Sequence, residues 1–347
     1  MKTKIKYVTK RIKKNSRYKR PKKNKIRKNK LSKALLILFL STLYFIPYIK
    51  NDLNALKDLN DYGIKICLCT VAKQENKYLR EFVEFYKNYG VDKIYLYDNN
   101  LENGERFDEV ISDYITSNFV EVIDRRGKIR ELINILNDCY RNNKDNYDWL
   151  IFYEIDEYIY LKNFKNIKPF LNQQYFNTCK IISLNWVHHS DNGKLHYENK
   201  SVQERFPKNG RNVNPNIYNR LAGVKSIARG HLHDLSIGNG HYLTKQYHPC
   251  NGYGKPLKLH NLLTLEPDYE NYYVIHYFTK SLEEFVEKIK RGDVYKGPGN
   301  KNFYMFQIDR YFEINELTKE KLDYIEEKLG KEVDLTEYRK KLNQSNS

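Results

Sequence analysis

Between Ile64 and Tyr160 the chain alternates strand-like and helix-like segments, and this alternation limits the possible folds more than any other feature. Ile64–Val71 (IKICLCTV) reads as a buried strand. Asn76–Tyr89 puts Tyr78, Leu79, Phe82, Val83, Phe85, Tyr86 and Tyr89 on one helical face, and Gly90 supplies a stop. Strands over Lys93–Tyr97, Phe119–Ile123 and Trp149–Tyr153 then alternate with helices over Phe107–Ile115 and Lys128–Arg141. That order predicts an α/β layered domain on a mostly parallel sheet.

Ligands of such sheets bind at the carboxyl ends of the strands. Here those ends carry Thr70–Glu75, Asp98-Asn99-Asn100, Asp124–Lys128 and Glu154–Glu157, all polar. The last is the most telling. The apolar run WLIFY, Trp149–Tyr153, leads straight into Glu154, Asp156 and Glu157. A buried carboxylate is costly unless paired. In extended chain Glu154 and Asp156, two residues apart, point to the same side. Two carboxylates so placed suit a hard divalent cation, Mg2+ or Mn2+. The plainer reading is a strand edge whose acids pair with lysines. Neither GxGxxG nor GxxxxGK[ST] occurs, which argues against a dinucleotide fold or a P-loop.

The net charge of +18 suggests nucleic acid until it is located. Residues 1–33 hold 17 Lys or Arg and no acid, so the other 314 residues are nearly neutral, and no nucleic-acid partner is expected for the body. After this basic tail comes an uncharged segment, 34–49 (ALLILFLSTLYFIPYI), about 24 Å long as a helix. Lys33 and Lys50 at its ends can snorkel, and it lacks the polar face of a core helix. It reads as a transmembrane signal anchor. The positive-inside rule then makes the protein single-pass type II, with the tail cytosolic. Residues 50–62 form a stem, 63–330 the folded domain and 331–347 a C-terminal tail.

The five cysteines show no zinc-site spacing. An odd number leaves at least one free or bridging between chains. Cys67 and Cys69 read as core thiols, and Cys179 with Cys250 is a possible disulfide in an oxidising compartment. Beyond Tyr160 the alternation stops. Lys180–Val187, Val202–Phe206, Gly223–Ala228 and Tyr272–Phe278 are strand candidates, and residues 229–254 form a long Gly- and His-rich stretch without zinc-ligand order. Ser281-Leu282-Glu283-Glu284 is a capping box opening a helix to about Lys290, and Leu317–Leu329 is a further amphipathic helix. By composition alone His276, inside an apolar strand, is a core residue.

Five blocks, in order, resemble glycosyltransferases of family 92 and related GT-A fold enzymes: CLCTVAKQE (67–75), YLREFVEFYKNYGVDKIYLYDNN (78–100), WLIFYEIDEYIYL (149–161), NWVHHSDNG (185–193) and YVIHYFTKSLEEFVEKIKRG (273–292). The resemblance implies a GT-A fold with a nucleotide-sugar half followed by an acceptor half. Lys73-Gln74-Glu75 stands at a family K-N-E turn, with Gln74 replacing Asn. Asp98 falls in the block beside the donor nucleotide, and Glu154-Ile155-Asp156-Glu157 at a D-x-D-E metal motif whose first Asp is Glu154. The resemblance moves His276 into the site as a further metal or diphosphate ligand. His188-His189-Ser190 replaces a family Phe-Gly-Ser block after Trp186.

The function implied is transfer of a sugar, galactose favoured, from a UDP-sugar or similar donor to a glycan acceptor, with inversion and a Mn2+ or Mg2+ ion. Glu154, Asp156 and His276 are its expected metal ligands. Lys73, Glu75, Asp98, Arg126 and Lys128 are donor-site candidates, and Asp191 or Asp234 a candidate base. A Golgi or other secretory-pathway membrane matches the tail, anchor and stem. The alternatives are a non-catalytic sugar-binding or scaffold protein on the same fold, and a basic-tailed nucleic-acid-binding protein.

Overall fold

A computed structural model describes residues 63–210, 223–238, 246–260, 263–292 and 300–345. The expected tail, anchor and stem lie outside these residues. No helix among the described residues is long and apolar enough to cross a membrane.

The strands are β1 (Ile66–Ala72), β2 (Lys93–Asp98), β3 (Val120–Asp124), β4 (Trp149–Phe152), β5 (Glu157–Leu161), β6 (Ile181–His188), β7 (Val224–Arg229), β8 (Leu259–His260), β9 (Leu263–Thr264) and β10 (Tyr272–His276). The helices are α1 (Asn76–Asn88), α2 (Asp108–Thr116), α3 (Leu132–Asn143), α4 (Ile167–Leu171), α5 (Val202–Arg205), α6 (Leu282–Arg291), α7 (Lys301–Ile314), α8 (Lys319–Leu329) and α9 (Thr336–Ser345). Eight strands form one sheet in the order β3-β2-β1-β4-β7-β6-β10-β5.

The first half of that sheet is parallel as expected: β3, β2, β1 and β4 run together. The second half corrects the expectation of a mostly parallel sheet. β7 lies antiparallel to both β4 and β6, and β5 antiparallel to β10, leaving β6 with β10 as the parallel pair there. The sheet is mixed.

Period-two alternation in the parallel half separates two cores. Ile66, Leu68, Ile94, Leu96, Trp149 and Ile151 pack with Leu79, Phe82 and Val83 of α1. Cys67, Cys69, Leu150 and Phe152 face the other way, against Ile135, Leu136 and Cys139 of α3. A third apolar cluster joins α6 to α9 through residues such as Phe285, Ile308, Tyr311, Ile325 and Tyr338. The capping box at Ser281 and Glu284 is present as read.

Four local expectations change. Val202–Arg205 is a helical turn rather than a strand, because the Ser201 hydroxyl caps it by accepting from Glu204 N (3.1 Å). The helix expected from Lys128 starts at Leu132, after Gly127 and Arg130 take left-handed backbone (φ 68° and 60°). Cys69 is no core thiol but is bonded to Cys139; Cys179 is bonded to Cys250, and Cys67 is the free, buried thiol. Helix α7 had no clear signal. Phe303, Tyr304, Met305 and Phe306 are apolar in succession, which hides the 3.6-residue period even though Phe303, Tyr304, Ile308, Tyr311 and Ile314 are buried.

Candidate active site

β4 ends at Phe152, and the chain turns before β5 starts at Glu157. Glu154 and Asp156 therefore lie in a turn, not in extended chain, and their carboxylates separate. The turn closes on itself: Glu157 N donates to Glu154 O (3.0 Å), and Glu154 N donates to Glu157 Oε2 (2.9 Å). Glu157 is completely buried. Its Oε1 accepts from the Trp186 indole (2.8 Å) and lies 3.3 Å from Lys225 Nζ. Burial pushes the Glu157 carboxyl up to about 8 against the pull of Lys225. The same ammonium sits 2.5 Å from Glu154 Oε1, so a buried lysine on β7 bridges both glutamates.

Asp156 faces the other way. Its Oδ2 accepts from Lys288 Nζ of α6 (2.5 Å), and its Oδ1 lies 3.6 Å from His276 Nε2. Burial alone would raise this carboxyl, but the charge of Lys288, then His276, holds it well below the usual carboxylate range. His276 is brought down to about 4, chiefly by burial. It is thus a neutral imidazole at neutral pH, the form that binds metal. Its Nδ1 has no hydrogen-bond partner.

The loop after β1 forms the opposite wall. Arg291, at the end of α6, donates to Lys73 O (2.6 Å), Gln74 O (2.9 Å) and Glu75 Oε1 (2.5 Å). Gln74 has left-handed backbone (φ 53°), and Arg291 holds that turn from outside. A cleft of about 140 Å³ results, lined by Lys73, Glu75, Glu154, Asp156, Lys288 and Arg291 among others.

Among the donor-site candidates, Lys73 and Glu75 reach this cleft and three do not line it. Asp98 is buried and accepts from Arg126 Nε (2.8 Å) and Asn100 N (3.0 Å). Arg126 also donates to the carbonyls of Leu101, Glu102, Gly104 and Glu105, so the pair organises the loop after β2. Lys128 is exposed.

Neither candidate base lines the cleft. Asp191 is buried 2.6 Å from Lys321 Nζ, accepts from the Tyr311 hydroxyl, and ties the loop after β6 to α7 and α8. Asp234 is exposed. No three His, Cys, Asp or Glu side chains among the described residues stand close enough to enclose an ion.

Lys225, Lys288 and Arg291 were missed from the sequence. Lys288 and Arg291 sit in the basic last turn of an amphipathic helix, where cations are ordinary. Lys225 in a strand of five buried residues was the one legible anomaly, since lysine is almost never fully buried unless paired.

The profile described as glycosyltransferase family 92 matches residues 62–309. A family 92 protein of Ricinus communis is 24% identical over 110 residues, covering 32% of this chain and 20% of that protein. One of Oryza sativa subsp. japonica is 22% identical over 106 residues, covering 30% and 18%. The match thus spans about a fifth of the length of these relatives. Among solved structures, S. aureus TarS 1–349 in complex with UDP-GlcNAc is similar at 13% identity and a TM-score of 0.35, covering 78% of this chain and 80% of that one. The mannosyltransferase PcManGT from Pyrobaculum calidifontis, in complex with GDP-Man and Mn2+, is similar at 9% identity and a TM-score of 0.29, covering 36% of each. At these scores the two structures carry no further argument.

Proposed function

The chain belongs to glycosyltransferase family 92, and from that premise we propose that it moves a sugar from a nucleotide diphosphate donor to a glycan hydroxyl in the cleft around Asp156. The observation that carries this reading is the Asp156 carboxylate, buried at the exit of β4, lining that cleft with Lys288 and Arg291. A UDP-sugar, with galactose first among the sugars, and inversion at the anomeric carbon are the family-weighted details.

The residues present fit a divalent cation. Asp156 offers an acceptor-only carboxylate 3.6 Å from a neutral imidazole whose second nitrogen is unpartnered. Ions that keep waters and take one or two protein groups plus substrate phosphates need no larger protein set. The mixed carboxylate and imidazole donors favour Mn2+ over Mg2+. Asp156 and His276 would hold the ion, while Glu154 is engaged by Lys225. A bound cation would stabilise charge on the diphosphate leaving group. The protein's own contribution is electrostatic and positional. Lys288 reaches the same carboxylate and places a second positive charge in the cleft, and Arg291 fixes the Lys73–Glu75 turn that forms its wall.

The same reading places the domain in a secretory-pathway lumen, the Golgi foremost, behind a type II anchor at 34–49. Two disulfides support an oxidising compartment. The test is a donor screen on the purified protein: release of nucleotide from UDP-, GDP- and CMP-sugars, with Mn2+ and with EDTA, beside D156A. Turnover of one donor, lost on chelation and in D156A, is expected. No turnover and no nucleotide binding would leave a non-catalytic sugar-binding protein as the better reading.

A further inference from the structure

Lys280, just before the Ser281 cap of α6, is a buried lysine, 5% exposed, on left-handed backbone (φ 51°). Neither is ordinary for this residue. Lysine is almost never fully buried unless paired, and left-handed backbone crowds any side chain with a Cβ. Among the described residues the Lys280 ammonium has no hydrogen bond and no ion pair, and it lies 4.2 Å from the centre of the Tyr78 ring. The ring face offsets part of the cost of burial but gives the three N–H donors no acceptor.

The side chain lines a hollow of about 260 Å³ between α6 and the start of α1, together with Glu75, Tyr78, Glu284, Lys288 and Arg291. Sites for drug-sized ligands begin at roughly 300 Å³, so this one is on the scale of a single sugar ring. Most of its charges are matched: Glu284 by Arg205, Arg291 by Glu75 Oε1 and Lys288 by Asp156. Two buried ends are left over among the described residues. One is the Lys280 ammonium. The other is Glu75 Oε2, which has no hydrogen-bond partner on a side chain 7% exposed.

An ammonium only donates and a carboxylate only accepts. An anion in the hollow would be opposed by Glu75, and a cation by Lys280. A hydroxyl both donates and accepts, so neighbouring hydroxyls on one neutral ring serve both ends. Glu75, Lys288 and Arg291 also line the Asp156 cleft, so the two spaces adjoin. A donor whose diphosphate lies in that cleft has its sugar one bond away.

We propose that this hollow holds the hexose of the donor, its hydroxyls accepting from Lys280 Nζ and donating to Glu75 Oε2. The inference rests on the nucleotide-sugar reading given above and deepens it: Lys280 is the residue that discriminates between sugars by their hydroxyls, and it takes no part in holding the diphosphate.

The test measures Kd by titration calorimetry on the full-length protein with Mn2+ present. The probes are UDP, UDP-galactose and the 2-, 3-, 4- and 6-deoxy analogues of UDP-galactose, against the wild type and K280M. K280M should bind UDP-galactose about 10- to 100-fold more weakly than the wild type does, the size of one hydrogen bond to a charged group, and UDP within about twofold. In the wild type at least one deoxy analogue should lose a similar factor, because the missing hydroxyl leaves a buried partner unpaired. At least one such penalty should fall below about threefold in K280M, the coupling expected of groups in contact. A merely structural lysine would not produce that coupling. Equal losses for UDP and UDP-galactose in K280M would make Lys280 a phosphate ligand and overturn the inference. Unchanged binding of both overturns it too. A wild type indifferent to all four deoxygenations, or one that binds UDP and excludes UDP-galactose, overturns it even if K280M does not fold. A wild type that binds neither UDP nor UDP-galactose overturns the nucleotide-sugar reading itself, a result distinct from these.

Discussion

Arg291 and Glu75, 216 residues apart in sequence, meet at 2.5 Å across the mouth of the cleft. The guanidinium closes α6 onto the loop after β1, and its other nitrogen serves the carbonyls of Lys73 and Gln74. Its removal leaves the Glu75 carboxylate uncompensated and the left-handed Gln74 turn unheld. R291A should lose about 3 kcal/mol of stability in urea unfolding. Nucleotide-sugar affinity should fall with it, read as a raised KM. A variant of wild-type stability and KM would show that the pair does not shape the cleft.

Asp156 has the most consequential carboxylate. Asparagine keeps its shape but removes the charge that faces Lys288 and His276. D156N should lower donor turnover by about 10³-fold, the loss expected when several kcal/mol of charge stabilisation disappears. Its circular dichroism should stay that of the wild type. Turnover within tenfold of wild type would move the chemistry elsewhere.

The Lys225–Glu157 pair lends itself to a double-mutant cycle. Both side chains are buried, and Glu157 also holds Trp186 and the Glu154 amide. K225M removes the ammonium that pulls this carboxyl down, so Glu157 keeps its proton and the variant should cost about 1–3 kcal/mol for the lost polar contacts. Adding E157Q should change little further, because glutamine matches the protonated carboxyl. A double variant markedly more stable than K225M would show instead that Glu157 carries its charge in the single variant.

Acid should act through Glu284, whose carboxylate takes two bonds from Arg205 (2.6 and 3.0 Å) and one from Tyr78 (2.7 Å). Burial would raise this carboxyl, but Arg205, Ser281 and Tyr78 together hold it below its ordinary value. The folded state therefore binds the proton less readily than the unfolded state. The resulting stability is whole above about pH 4.3 and is lost as pH falls through the folded value. Urea unfolding from pH 6 to pH 3 should show a shallower decline for E284Q than for the wild type. Parallel curves would remove Glu284 from the acid response.

The disulfides close loops 70 and 71 residues long. In the chain-entropy account each is worth about 4 kcal/mol. Reduction under mild denaturant should therefore lower the unfolding midpoint sharply, and C69S with C139S should reproduce part of the loss. A midpoint indifferent to reductant would contradict the pairing.

Much of the nucleotide half was legible because its information is local. Apolar periods of two and of 3.6 residues marked β1 to β4 and α1 to α3, and the carboxyl ends of those strands gathered Lys73, Glu75, Glu154 and Asp156 on one rim. What the sequence by itself determined is this alternation, the polar strand ends and the Ser281–Glu284 cap, each written within a few neighbouring residues. The tertiary structure decided who faces whom. It inserted β7 antiparallel between β4 and β6, which brought Lys225 to Glu154 and Glu157. It placed the end of α6 over the β1 loop, which brought Lys288 and Arg291 to the cleft. It also turned the chain at Glu154–Asp156, which sent two carboxylates expected on one side to different lysines. The physical reason is that a carboxylate's partner is chosen by proximity in space. Strand order and register set that proximity across 70 to more than 200 residues, and no local period records it.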